Sequence, residues 1–552
     1  MSRDWKLREP PPELAARYEA EGYWRGETLA SVLSAALARW AALPFRVWSQ
    51  ERPYQGTIGE VAHLARRVAA GLAARGIGPG DVVAFQIPSW VEAAATFWGT
   101  ALCGAAVLPI VHFYGAREVA FILGQSRARA FVTADRFRSF DYLAALDSVR
   151  ARAPELELVV AIGRAPQEAL PFGSLADSPP LEALPAVGAG EPAVIAYTSG
   201  TTADPKGVLH THRSILAETR QLDAMQASGG RPLLAGAPVG HFIGMTTGLL
   251  LPVARGLPIH LADTWDPAAV LAAVLEADLS AGSGSTYFLT SLLDHPDFSP
   301  AHLEHIQRVG LGGAPVPVAV AERAEALGIS IIRSYGCSEQ PSITGSRHED
   351  PREKRLYTDG AALPGVELCI VDGGGRELPA GEPGEILSRG PELFAGYTDP
   401  LLTDEALLDG GWLATGDIGV LDEHGWLTIT DRKKDIIIRG GENISAGEIE
   451  ELLAQMPGVA EVAVVAGPDP RMGERACAFV RPLPGAAAPD LESVRQHLAR
   501  AGLTRQKWPE EIHPVTEFAR TPSGKIKKFE LRARLRAASG SSGAAAHPSS
   551  AE

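Results

Sequence analysis

The chain has 552 residues, of which 45% are hydrophobic and 21% charged, and its formal net charge is −15. This length exceeds one ordinary domain, and the apolar share is enough to build sizeable cores. The acidic balance excludes a protein that coats nucleic acid, because nothing global draws the chain to a polyanion.

Four scattered cysteines (Cys103, Cys337, Cys369, Cys477) contain no C-x-x-C pair. That spacing suits neither a disulfide framework nor a zinc site and indicates a reducing, cytoplasmic compartment. The N-terminal MSRDWKLREPPPELAARYEAEG has no apolar core of signal-peptide length. The stretch ALCGAAVLPIV at 101–111 is too short to span a bilayer and contains Pro109, so no stable membrane span is expected. The chain is read as a monomer or homodimer.

In chain order, DVVAFQI (81–87) is an apolar run suited to a buried strand, and WVEAAATFWGTALCGA has the length and alanine content of a helix. AFVTA (130–134), ELVVAIG (157–163) and AVIAYTSG (193–200) continue the alternation, which implies an α/β fold with largely parallel sheet. From about 360 to 431 short strands and Gly/Pro turns mark a β-rich subdomain. Beyond 435, Ser445 with Glu448 forms a capping-box signature, and Ile449, Leu452, Leu453 and Met456 share one helical face. EVAVVAG, RACAFVRPL and the helix LESVRQHLARAGL complete a small α+β domain. The tail from 537 to 552 is small, polar and expected to be disordered.

The stretch YTSGTTADPKG (197–207) places hydroxyls, glycine and a lysine at a strand's carboxyl end, where ligands of α/β sheets collect. It departs from the common phosphate loop: Pro205 precedes Lys206 and Gly207 follows it. Thr198, Ser199, Gly200, Thr201 and Thr202 offer hydroxyl and N–H donors to phosphate oxygens, and Lys206 adds positive charge. No G-x-S-x-G occurs, which excludes a serine hydrolase of that type. His302-x-x-His305 reads as a solvated helix face rather than a metal site.

This loop resembles the signature of the adenylate-forming enzymes, which include acyl-CoA synthetases, firefly luciferase and peptide-synthetase adenylation domains. The likeness runs from about 30 to 536, with further motifs in the family's order: LGGAP (311–315), SYGCSEQ (334–340), WLATGD (412–417), DRKKDIIIRGGENIS (431–445) and RTPSGKIKKFELR (520–532). The resemblance implies a large N-terminal α/β domain (1–431), a hinge at 432–434 and a small mobile C-terminal domain (435–536). It also implies ATP and coenzyme A as substrates, with Mg2+.

In detail, Gly313, Ala314 and Pro315 would meet adenine. Tyr335 would stack on it beside Gly336, with Ser338 in place of the usual threonine. Glu339, helped by Thr198 or Thr201, would hold Mg2+. Asp417 and Arg432 would meet the ribose, Lys434 would be the hinge, and Lys525 would be the adenylation lysine. His241 would line the acyl pocket near the carboxylate; the alternative is a histidine that ends a loop. Gly440, Gly441 and Glu442 would face the pantetheine thiol, and a tight turn explains the same glycines. Phe242, Gly244, Met245 and Tyr287 are expected in the acyl pocket. Gly240, Gly244 and Gly248 either leave room for an acyl chain or permit close helix packing.

The expected reaction is ATP-dependent activation of a carboxylic acid to an acyl adenylate, then transfer to coenzyme A. The pocket is expected to draw on VGHFIGMTTGLLLP (239–252), GSGSTYFLTSLL (282–293) and LGGAP, where Ile243, Met245 and Tyr287 favour an apolar medium-chain, branched or cyclic acid and no lysine or aspartate would pair with an amino acid's charges. The alternatives are loading of a separate carrier protein and a catalytically silent nucleotide-binding regulator. Ala203 and Ala446 depart from the family's usual residues without removing a chemical group.

Overall fold

The computed structural model describes residues 5–198, 205–225, 231–439, 442–521 and 524–543. The apolar runs become the centre of an eight-stranded sheet. Its order is Gly396–Tyr397, Lys206–Thr211, Pro192–Thr198, Ala106–Pro109, Val82–Gln86, Ala130–Ala134, Leu158–Ile162, Leu170–Pro171. From Pro192–Thr198 to the last of these, every neighbouring pair is parallel. Period-two side-chain direction divides each strand between two cores: Val83 and Phe85 join one cluster, Val82 and Ala84 the other. A sheet buried on both faces needs helices on both, which is why its strands read as continuous hydrophobic runs. The helix Val91–Leu102 is buried over almost its whole length, and its alanines allow that close approach.

The segment after AVIAY differs from a strand-to-helix turn. Pro192–Thr198 and Lys206–Thr211 form an antiparallel pair in which Thr198 stands opposite Lys206, so the phosphate-loop candidate is flanked by two paired strands.

A second sheet pairs Arg308–Gly312 in parallel with Ser330–Tyr335, and both strands deliver their motifs at their carboxyl ends. The β-rich region is a five-stranded antiparallel sheet that includes Gly384–Arg389, Trp412–Leu421 and Leu427–Arg432.

In the small C-terminal domain, Val459–Asp469 and Gly473–Pro482 form a long antiparallel pair. Val464, Ala476 and Ala478 pack on the helices Ala446–Ala454 and Leu491–Arg500, while Val465, Cys477 and Phe479 meet Leu531 and Leu535 of the last helix. Lys528–Glu450 and Arg532–Asp435 ion pairs, each 2.7 Å, pin that helix. It runs Lys528–Gly543, so residues 537–543 are helical where disorder is expected; the docked leucines carry the helix past the start of the polar tail. The two domains meet at helix ends: the Val318 N–H donates to Glu451 Oε1 at 3.2 Å and the Gly447 N–H to Asp431 Oδ1 at 3.4 Å.

Two local expectations change. Ser445 accepts from the Glu448 N–H at 2.9 Å, but the Glu448 carboxylate turns to Lys507 Nζ at 2.6 Å, so the reciprocal half of the box is not made. His302 is buried rather than solvated, its Nδ1 accepting from the Ser299 N–H at 3.1 Å as a local cap. Among the described residues, no helix is long and apolar enough to cross a membrane.

Candidate active site

A cleft of about 2840 Å³ opens between the carboxyl ends of the large domain's strands and the small domain. Thr198, Lys206, His241, Glu339, Asp417, Arg432, Lys434 and Lys525 all border it, although they span more than half the sequence. Ser199, Gly200, Thr201 and Thr202, with Ala203, lie outside the described residues, as do Gly440 and Gly441; Glu442 is described in its backbone alone, in the strand Glu442–Ile444.

At the hairpin base, Lys206 Nζ lies 5.2 Å from the centroid of the Tyr397 ring, a cation–π arrangement that holds the lysine at the cleft edge. The same tyrosine donates its hydroxyl to Glu339 Oε1 at 2.6 Å. Glu339 is further held through its backbone, whose carbonyl accepts from Phe394 N–H at 2.8 Å. Thr198 and Glu339 both border the cleft, and a hydroxyl and a carboxylate are hard-oxygen donors of the kind Mg2+ takes, so the chemistry of these two residues fits the ion.

The loop carrying Glu339 rests on buried polar groups that the motif reading did not single out. His210 Nε2 donates to the Ser338 carbonyl at 2.7 Å, its Nδ1 lies 3.3 Å from Ser214 Oγ, and its ring lies 5.0 Å from that of Phe242. Burial lowers His210 to about 4, so the ring is neutral and donates from one nitrogen while accepting at the other. Next along the loop, Gln340 donates to Glu392 Oε1 at 2.7 Å and Ser342 to Glu218 Oε1 at 2.9 Å. Burial raises Glu218 to about 8 and Glu392 to about 7, and the Glu392 charge adds to the shift of Glu218.

Facing this loop, Tyr335 donates its hydroxyl to Asp417 Oδ2 at 2.7 Å and Arg432 Nε meets Asp417 Oδ1 at 2.7 Å. Asp417 and Arg432 stand opposite each other on neighbouring strands, so sheet register sets the pair. Gly313, Ala314, Pro315 and Gly336 border the same part of the cleft.

Lys525 reaches this cleft from the small domain. Its N–H donates to Thr521 Oγ1 at 3.1 Å and its carbonyl accepts from the Thr521 N–H at 2.7 Å, which closes the loop that presents it. Burial lowers Lys525 to about 8; the Arg432 charge acts in the same direction, and Asp417, Cys337 and Glu339 oppose it. Lys434 is also lowered to about 8, first by burial and then by Arg432. His241 is lowered to about 4 by burial and by the charge of Lys525, and its buried Nδ1 has no partner among the described residues.

On the acyl side, His241, Phe242 and Tyr287 border the cleft, and so does Ile243. Gly244 and Met245 do not line a pocket. A methyl on Gly244 would lie 2.0 Å from the Pro238 carbonyl oxygen, and Met245 is wholly enclosed in the large core. Gly240 precedes the helical stretch, which starts at Phe242 and widens into a π-helix over Thr246–Leu250. Methyls on Gly240 and Gly248 would meet Ile110 O at 2.3 Å and Leu261 Cδ2 at 3.0 Å, so the glycines serve close packing and leave no room for a chain.

Three residues of the site escape motif reading: His210, Tyr397 and Ser285. His210 carries a signal, a polar side chain within the apolar strand KGVLHT. Tyr397 carries none, since Glu339 and Lys206 are distant from it in sequence, and Ser285 belongs to no chemical motif of its own.

The sequence pattern of the AMP-binding enzyme family matches residues 35–398, and that of the AMP-binding enzyme C-terminal domain matches 448–525. The chain belongs to this family. It is an adenylate-forming enzyme of the acyl-CoA ligase type, an AMP-forming ligase.

Among relatives, a medium-chain fatty-acid–CoA ligase of Escherichia coli K12 is 34% identical over 523 residues, covering 94% of this chain and 92% of its own. A 3-[(3aS,4S,7aS)-7a-methyl-1,5-dioxo-octahydro-1H-inden-4-yl]propanoyl:CoA ligase of Mycobacterium tuberculosis is 34% identical over 507 residues, covering 88% of this chain and 94% of its own. The crystal structure of ATP-bound MatB from Rhodopseudomonas palustris superposes with a TM-score of 0.81 at 27% identity, covering 90% of this chain and 98% of that one.

Proposed function

We propose that this adenylate-forming enzyme activates an apolar medium-chain, branched or cyclic carboxylic acid with ATP and passes the acyl group to coenzyme A. One observation carries the reading: Lys525 of the small domain stands in the same cleft as Glu339, Asp417, Arg432 and His241. The acid class is supported by the apolar flank of Phe242 and Ile243 and by the medium-chain and ring-bearing acids named for the two relatives.

A carboxylate oxygen attacks the α-phosphorus, the bond from that phosphorus to the bridging oxygen breaks, and pyrophosphate leaves. Both reactants are anionic, so positioning and electrostatic stabilisation supply most of the acceleration. Lys206, with Thr198, Ser199, Gly200, Thr201 and Thr202, holds the departing phosphates, Asp417 and Arg432 orient the ribose, and Tyr335 packs on adenine. Lys525 bridges the carboxylate and the α-phosphate, carrying its proton and charge below pH about 8. Thr198 and Glu339 would hold Mg2+, which, when bound, neutralises charge on the triphosphate.

In the second half-reaction the thiol sulfur attacks the acyl carbonyl, AMP leaves and the thiol proton passes to solvent. For this the small domain turns about Lys434, withdrawing Lys525 and bringing the segment around Gly440, Gly441 and Glu442 to the pantetheine.

Acid-dependent exchange of pyrophosphate into ATP across a panel of straight-chain, branched and cyclic acids, followed by thioester detection with coenzyme A, tests the reading. Exchange and thioester with apolar acids are expected. Absence of exchange with every acid overturns it, and exchange without transfer to coenzyme A redirects it to a carrier-protein thiol.

A further inference from the structure

Ser285 occupies the N-cap position of the helix Thr286–Leu293, yet its side chain accepts no N–H from that helix. An N-cap serine ordinarily turns its hydroxyl back onto the first turn, and giving up that bond costs stability. Here Oγ has no partner among the described residues, although the residue is only 6% exposed. The hydroxyl is buried from water and no described protein group replaces that contact, an arrangement that disfavours the unliganded fold.

The place to which Ser285 is turned explains the arrangement. A methyl built on Gly524, the residue before Lys525, would lie 2.9 Å from Ser285 Oγ and 3.9 Å from Tyr287 Cβ. Gly524 has φ of +85°, so the lysine loop reaches this spot only through a residue without a side chain. The hydroxyl and the positive end of its helix therefore front the part of the cleft into which Lys525 is carried. A second unpartnered buried atom, His241 Nδ1, borders the same cleft and feels the Lys525 charge.

We propose that Ser285 is a substrate-contacting residue, its hydroxyl donating a hydrogen bond to a carboxylate oxygen of the bound acid, which becomes the carbonyl oxygen of the acyl adenylate. This rests on the adenylation reading above. The acid's negative charge also sits favourably at a helix N-terminus, which adds to the hydrogen bond. In this arrangement Lys525 meets the carboxylate from the small domain and Ser285 from the large one, so the reacting group is oriented from two directions.

The test uses the full-length chain and its Ser285→Ala variant, with three measurements. The variant should lose about tenfold in kcat/KM for the acid in pyrophosphate exchange, mostly as a higher KM for the acid. It should bind 5′-O-(N-octanoylsulfamoyl)adenosine about tenfold more weakly. AMP, which lacks the acyl group, should bind both proteins within about twofold. Unchanged affinity for the sulfamate overturns the proposal. So does an equal loss for AMP and the sulfamate, which is the signature of a merely structural serine. If the parent chain exchanges pyrophosphate with no acid, the proposed reaction fails, and the sulfamate and AMP titrations still decide the role of Ser285.

Discussion

Tyr397 donates its hydroxyl to Glu339 Oε1 at 2.6 Å, and the face of the same ring carries Lys206 Nζ at 5.2 Å. One side chain thus positions an acidic and a basic group by two different physical means. Tyr397→Phe separates them, since it removes the hydrogen bond and keeps the ring. The variant should lose about tenfold in kcat/KM for adenylation, roughly 1.4 kcal/mol. Its Mg2+ dependence should shift to higher concentration, because Glu339 is no longer held. A Mg2+ titration superimposable on the parent's refutes this.

Lys525 sets the alkaline side of the adenylation profile. Its conjugate acid is lowered from the ordinary 10.5 to about 8, first by burial and then by Arg432, so the positive charge is present below about 8 and lost above it. The profile of kcat/KM for the acid, which reports the free enzyme, should therefore fall as pH rises through that value. Lys525→Arg should move the fall upward, and Lys525→Ala should cost about a hundredfold or more at neutral pH. A profile flat to pH 10 in the parent chain would remove this lysine from its assigned role.

His210 supports the Glu339 loop through the Ser338 carbonyl at 2.7 Å. His210→Leu leaves that carbonyl without its buried donor, at a cost of about 1–3 kcal/mol. The melting transition should drop by several degrees, and activity at low temperature should fall because Glu339 shifts with Ser338. Melting and exchange rates together check this: a lower melting point with full activity would make His210 purely structural.

Glu218 makes stability depend on pH in the direction opposite to an ion-paired acid. Burial raises its folded pKa above the unfolded value of 4.5 to about 8, so its contribution is complete below about 4.5 and is lost as pH rises through 8. Glu218→Gln keeps an acceptor for Ser342 and cannot ionise. Its stability relative to the parent should therefore rise between pH 6 and 9, as measured by urea unfolding. An identical pH dependence in parent and variant would show that the carboxyl does not titrate in this range.

The central strands were legible because burial on both faces demands unbroken apolar runs, and VVAFQ and AFVTA are such runs. The motif residues Asp417 and Arg432 were legible for a different reason: each sits at the end of a recognisable chemical string. The glycines at 240, 244 and 248 were ambiguous, since spacing cannot say whether a missing side chain faces protein or void; the carbonyl oxygen of Ile110, far off in sequence, and that of nearby Pro238 decide it. Tyr397 was invisible because its function arises only when the two-residue strand Gly396–Tyr397 joins the edge of the large sheet beside Lys206–Thr211. The hairpin at Thr198–Lys206 was missed because a strand before a polar loop reads alike whether a strand or a helix follows.

The helix Val318–Ala326 begins after Pro317, which supplies no capping side chain, and its first N–H is closed instead by Glu451 of the other domain. The large domain has left one of its own helix ends unfinished. Under the proposed rotation about Lys434 that end would lose its carboxylate and fray into water, and the integrity of a first helical turn would then gauge which half of the reaction the enzyme is serving.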